Sequence, residues 1–138
     1  MKKSNILLVF MALVISQTAC VQAITEDQKM KDYAVKKGWT IKSTPEGVYY
    51  VIDTEGSGGN PTVSNTVTVK YKVTDIYDNL VEDNSTKGIT SPLTQLYPGW
   101  QVGIPKFKKG GKGKLLIPTA YTNNNGLLIF EVELVDYK

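Results

Sequence analysis

Apolar and polar positions alternate most clearly between Thr66 and Ile76. Val67, Val69, Tyr71 and Val73 fall on one face of an extended chain, and Thr68, Lys70, Lys72 and Thr74 fall on the other. A period of two over this length predicts a strand buried on one face. The same rhythm sets Val48, Tyr50 and Ile52 against Tyr49, Val51 and Asp53, and stops at Glu55-Gly56-Ser57-Gly58-Gly59, a flexible turn. It returns from Leu127 to Val135, with Leu128, Phe130, Val132 and Leu134 opposite Glu131 and Glu133. Lys112 to Ile117 reads as a further strand between the turns Lys108-Lys109-Gly110-Gly111 and Asn123-Asn124-Asn125-Gly126. An antiparallel sheet with one wet face follows.

Two segments break this rhythm. Thr25-Glu26-Asp27-Gln28 predicts a capping box, with the Thr25 hydroxyl accepting from the Gln28 amide and Gln28 reaching back. Met30, Tyr33 and Ala34 follow at helical spacing and Gly38 is a terminator, so a short helix is expected over about residues 25–37. Pro98-Gly99-Trp100 predicts a second, shorter helix, with Trp100 four residues before Ile104 and Pro105 ending it. Pro92 and Pro98 keep the stretch between them out of regular helix or central strand. The tally is an α+β domain of four or more antiparallel strands with one short helix among them.

The first residues change the setting. Lys2 and Lys3, the apolar run Ile6 to Ile15 and the small and polar residues up to Ala19 have the three-part layout of a secretory signal. The run is about half the roughly 20 residues a spanning helix needs, so export without a membrane span is expected. Ser16-Gln17-Thr18-Ala19-Cys20 resembles a bacterial lipobox, with Gln17 in place of the usual aliphatic residue. That resemblance implies lipidation of Cys20, the only cysteine in the chain. Cleavage after Ala23 is the alternative. Loss of residues 1–19 takes two lysines and no acid, lowering the formal charge from +3 to +1, so no nucleic-acid partner is expected. The chain has neither histidine nor arginine. This excludes Ser-His-Asp and Cys-His sites and leaves zinc no plausible ligand set; no metal and no cofactor are expected.

Five local words, in order, resemble the FKBP-type peptidyl-prolyl isomerase domain. They are Thr44-Pro45-Glu46-Gly47-Val48-Tyr49-Tyr50, Asp78-Asn79-Leu80-Val81-Glu82-Asp83-Asn84-Ser85, Tyr97-Pro98-Gly99-Trp100, Lys109-Gly110-Gly111-Lys112 with Leu116-Ile117-Pro118, and Leu128-Ile129-Phe130-Glu131-Val132-Glu133-Leu134. The resemblance implies an antiparallel sheet of about five strands wrapped around one short helix, with the N-terminal helix before it. It divides the chain into a signal peptide (1–19), a tether with a short helix (20–43) and the isomerase domain (44–138).

Carried over by position, the resemblance implies a pocket of Tyr71, Asp83, Trp100, Tyr121 and Phe130, with Leu96, Tyr97 and Glu82 contacting substrate. In this scheme Trp100 and Phe130 hold the prolyl ring and the Tyr97 amide binds a peptide carbonyl. Asp83 and Tyr121 supply polar contacts. Core packing alone also accounts for Tyr71, Phe130 and Trp100, and Asp83 equally suits a turn cap. Three departures from the family pattern stand out: Glu82 replaces a pocket-wall phenylalanine, Ser91 stands near an expected aromatic, and the loop Thr122 to Gly126 is short where the family has an overhanging flap. The function implied is isomerisation of X-Pro bonds in proline-containing polypeptide clients, with a macrolide as a further ligand. The protein would be exported and lipid-anchored to the envelope, facing the periplasm or exterior, its membrane contact limited to that anchor. The alternative is a non-catalytic peptide-binding or chaperone-like envelope lipoprotein of the same fold.

Overall fold

A computed structural model describes residues 23–138. The signal sequence, the lipobox and Cys20 lie outside the described residues. Helix α1 (Glu26–Lys37) is followed by strands β1 (Lys42–Ser43), β2 (Tyr49–Thr54), β3 (Thr66–Thr74) and β4 (Leu80–Pro92). Then come helix α2 (Pro98–Gly103) and strands β5 (Lys112–Ile117) and β6 (Leu128–Tyr137). Three 3-10 turns occupy Leu93–Gln95, Ile104–Lys106 and Thr119–Tyr121. The six strands form one sheet in the order β1-β2-β5-β6-β3-β4, with every pairing antiparallel.

The alternating segments become strands with the expected inward faces. Val67, Val69, Tyr71 and Val73 of β3 and Leu128, Phe130, Val132 and Leu134 of β6 are buried in one cluster with Leu115, Ile117, Trp100, Ile104 and Phe107. Register makes these faces coincide: Val73, Phe130 and Leu115 form one rung across three strands, and Tyr71, Val132 and Gly113 form the next. A methyl on Gly113 would stand 1.8 Å from the Val51 carbonyl oxygen and 2.8 Å from the Phe107 ring, so only glycine lets that ring in.

Helix α2 packs closely because of its small residues. Gly99 and Gly103, four apart and so on one face, lie against Ile117 and Leu115 of β5. Helix α2 ends at Gly103, just before Pro105, as expected, but not because the residue before the proline leaves helical geometry. The Ile104 backbone stays helical and the chain tightens into the 3-10 turn, which seats Ile104 and Phe107 in the core.

The other face of the sheet is not uniformly wet. Met30, Tyr33 and Ala34 of α1 cover Tyr49, Leu116 and Ile129, forming a second buried cluster. Polar contacts fix the helix there. The Tyr33 hydroxyl donates to Asp78 at 2.6 Å, the Tyr49 hydroxyl donates to Asp27 at 2.6 Å, and Glu26 accepts from the Thr119 amide at 3.1 Å and from its hydroxyl. At the N-terminus Thr25 accepts from the Gln28 amide as expected, but the Gln28 side chain donates to Asp32 instead of reaching back. Gly38 closes the helix in the left-handed conformation, φ 73°.

Strand β4 escapes sequence periodicity. It is largely exposed, and its register shifts twice against β3, most widely where Ser85 to Gly88 bulge out opposite Lys70. The two-residue β1 is likewise too short to show a period.

Candidate active site

Helix α2 carries Trp100 under the concave face of the sheet, where it is 2 % exposed. Tyr71 meets the indole edge-on, with ring centroids 5.0 Å apart and planes at 87°. Phe130 stands at 5.5 Å and 82° on the same indole, and Tyr97 lies 5.9 Å from Phe130. These are the offset and T-shaped contacts aromatic quadrupoles prefer. Above them opens an apolar hollow of about 60 Å³ lined by Tyr71, Ile89, Leu96, Tyr97 and Trp100. It is a small seat, partly open to solvent.

The structure therefore brings together Tyr71, Leu96, Tyr97 and Trp100. Phe130 is fully buried behind the indole and supports the floor instead of lining the hollow. Tyr121 packs partly buried against the same cluster without lining the hollow. Among the described residues the Tyr97 amide has no hydrogen-bond acceptor within the chain, since Tyr97 is the N-cap of α2. The Trp100 indole N–H is buried with no partner.

Register separates two neighbouring acids. Asp83 pairs with Lys72, on the outer face of the sheet, and its carboxylate accepts from the Ser85 amide at 2.9 Å and from the Ser85 hydroxyl. The Ser85 hydrogen bonds hold its pKa below the ordinary carboxylate value. It lies within β4 at the start of the bulge and does not line the hollow. Glu82 pairs with Val73, on the inner face. It accepts from the Tyr71 hydroxyl at 2.8 Å and from the Asn84 side-chain amide at 2.7 Å, while Asn84 also donates to the Tyr71 hydroxyl at 2.8 Å. Burial first, and the Glu82 hydrogen bond second, push the Tyr71 phenol above its usual value. Glu82 and Asn84, not Asp83, are the polar groups that meet the Tyr71 hydroxyl.

Ile89 is the lining residue that sequence reading missed. It stands alone between Gly88 and Thr90, and only its pairing with Val69 turns it inward. Ser91 pairs with Val67 and donates to the Pro92 carbonyl at 3.1 Å, away from the lining. The short loop after Tyr121 is held by buried Thr122, whose hydroxyl donates to the Gly126 carbonyl at 2.7 Å.

A larger concavity, about 450 Å³, lies on the outer face among Lys70, Lys72, Lys112, Lys114, Glu131 and Glu133. Its charges of both signs partly neutralise one another, as in the pair Lys114–Asp53. It lacks the convergent apolar walls of the hollow.

The sequence model described as FKBP-type peptidyl-prolyl cis-trans isomerase matches residues 58–135. The chain is 36 % identical over 129 residues to the FKBP-type peptidyl-prolyl cis-trans isomerase FkpA of Escherichia coli, covering 84 % of this chain and 48 % of that protein. It is 34 % identical over 118 residues to a probable FkpA of Neisseria meningitidis, covering 77 % and 43 %. The chain thus spans about half the length of the curated relatives it matches. The crystal structure of Escherichia coli FkpA superposes with a TM-score of 0.71 at 31 % identity, over 97 % of this chain and 70 % of that one. A peptidyl-prolyl cis-trans isomerase from Pseudomonas syringae shares the fold with a TM-score of 0.71 at 23 % identity, over 82 % and 90 %. With its rings gathered on α2 and the inner sheet face, and with these matches, the chain belongs to the FKBP-type peptidyl-prolyl cis-trans isomerase family.

Proposed function

We propose that this chain catalyses cis-trans isomerisation of X-Pro bonds in exported polypeptides. The observation that carries the reading is the ring-lined hollow over Trp100, beside the unpartnered Tyr97 amide. Rotation about a peptide bond breaks amide resonance, with a barrier of about 18–20 kcal/mol. No nucleophile or proton donor is needed to lower it. A site that binds the twisted amide more tightly than the planar one is sufficient.

Trp100, Tyr71 and Leu96 would seat the prolyl ring, with Phe130 holding the indole level from behind. The apolar walls would strip water from the scissionless rotating bond, which weakens the resonance form with charge on oxygen. The Tyr97 N–H is positioned to donate to a client carbonyl and so fix the peptide on one side of the rotating bond. Tyr121 borders the same cluster and would contact the client from the short loop. A macrolide ligand would compete for the hollow.

Export directed by residues 1–19, with Cys20 lipidated, would set the protein at the envelope, facing the periplasm or exterior. Cleavage after Ala23 would release it. The small hollow and the rim carboxylate of Glu82 favour, as a second reading, a peptide-binding or chaperone-like protein that does not catalyse. Refolding of a protein limited by a trans-to-cis proline step separates the two. The proposed isomerase accelerates that slow phase and its Trp100→Ala variant does not. A slow phase unchanged by the native chain, with client aggregation suppressed, supports the second reading.

A further inference from the structure

Glu82 sets an unneutralised negative charge at the mouth of the hollow. Pairing with Val73 turns it inward, and both groups that hold its carboxylate, the Tyr71 hydroxyl and the Asn84 amide, are neutral and donate to the same oxygen, Oε1. Among the described residues no lysine lies within ion-pairing distance of it, and Oε2 accepts no hydrogen bond. The outer face is built differently: there Asp53 meets Lys114, Glu133 meets Lys112 and Asp83 sits across from Lys72. The chain thus pairs Asp53 and Glu133 with lysines on the face away from the hollow and leaves Glu82 without one beside Tyr71, a lining residue.

We propose that Glu82 is a specificity-determining residue that selects proline segments carrying lysine or arginine beside the proline and rejects those carrying aspartate or glutamate. This rests on reading the hollow as the prolyl site. A basic side chain next to a seated proline can reach Oε2 while its apolar stem covers the rim. Because the hydroxyl and amide already fix the carboxylate, little further side-chain freedom is lost on pairing. The position is exposed, so the preference is modest, roughly two- to fivefold, and sensitive to salt.

The test uses short peptides with one proline and Lys, Gln or Glu at the preceding or following position. Isomerisation efficiency, kcat/KM, is measured by exchange NMR and affinity by calorimetry, for the native chain, Glu82→Gln and Glu82→Lys. The expected result is a Lys over Glu preference of roughly two- to fivefold at low salt, shrinking toward unity in Glu82→Gln and at about 1 M salt, and inverting in Glu82→Lys. The same order in all three proteins overturns the proposal. Accelerated isomerisation with no dependence on the flanking charge also overturns it, while leaving the isomerase reading intact. Affinities that follow the charge order without any acceleration support this specificity and instead count against catalysis.

Discussion

Tyr71 and Trp100 meet at right angles, centroids 5.0 Å apart, one from β3, beside the edge strand, and the other from the helix packed on the sheet. The contact couples the stability of the domain to the shape of its hollow, since either ring is both core and lining. Trp100→Ala is expected to cost about 3–5 kcal/mol. Trp100→Phe should cost clearly less, because it keeps a ring and removes an N–H that is buried without a partner. Urea unfolding of the three proteins checks this order.

Gly99 sits where α2 presses on β5. A methyl there would stand 2.3 Å from Ile117 Cγ2 and 2.7 Å from Cδ1. Ile117 is fully buried and has no room to retreat. Gly99→Ala should therefore cost about 1–3 kcal/mol and shift the adjacent Trp100, so that peptide affinity falls along with the melting temperature. Thermal melts and calorimetric titration with a proline peptide measure the two effects.

The clamp between α1 and the β3–β4 turn should weaken in acid. Asp78 is held below its ordinary pKa by Lys37 first and Tyr33 second, and Asp27 by Lys31 and then Tyr49. A lowered carboxylate contributes stability above its unfolded value, near 3.9, and loses it as pH falls through the lower folded value. The native chain should thus lose stability below about pH 4. Asp78→Asn should lose less over the same range, starting from a lower stability; asparagine tolerates the φ of 64° at this position. Melting temperatures from pH 2 to 7 record both trends.

Base should act in the opposite sense. Tyr33, Tyr49 and Tyr71 all have phenols raised above the usual value, burial being the first cause in each. A raised group contributes stability in full below its unfolded value, about 10, and that contribution disappears as pH climbs through the folded value. Stability should therefore decline above about pH 10, and less steeply in Tyr71→Phe. That variant should also be about 1 kcal/mol less stable near neutrality for loss of the Glu82 bond. Guanidinium midpoints from pH 8 to 11.5 test both.

Much of this architecture was legible in the sequence because its signals are local. Alternation turned Tyr71 and Phe130 inward, and proline at the start of a helical word placed Trp100 on α2. Strand β4 was not legible, because an exposed edge strand with a four-residue bulge carries no period. The same bulge hid Ile89, whose inward turn depends on pairing with Val69. Adjacent acids posed the hardest choice. Glu82 and Asp83 point to opposite faces, and only the register against Val73 and Lys72 decides which of them faces the rings. The outer face held a similar surprise: a narrow stripe of Met30, Tyr33 and Ala34 suffices to dry Leu116 and Ile129, which alternation alone assigns to water.

Exchange NMR on a single-proline peptide with a trace of the protein reads rotation of the X-Pro bond itself. Uncatalysed exchange takes tens to hundreds of seconds. An isomerase built on Trp100 gives cis-trans cross-peaks at mixing times far shorter than that, and they vanish in a Trp100→Ala variant that remains folded. A peptide that binds at the hollow yet exchanges only at its spontaneous rate would contradict the isomerase reading.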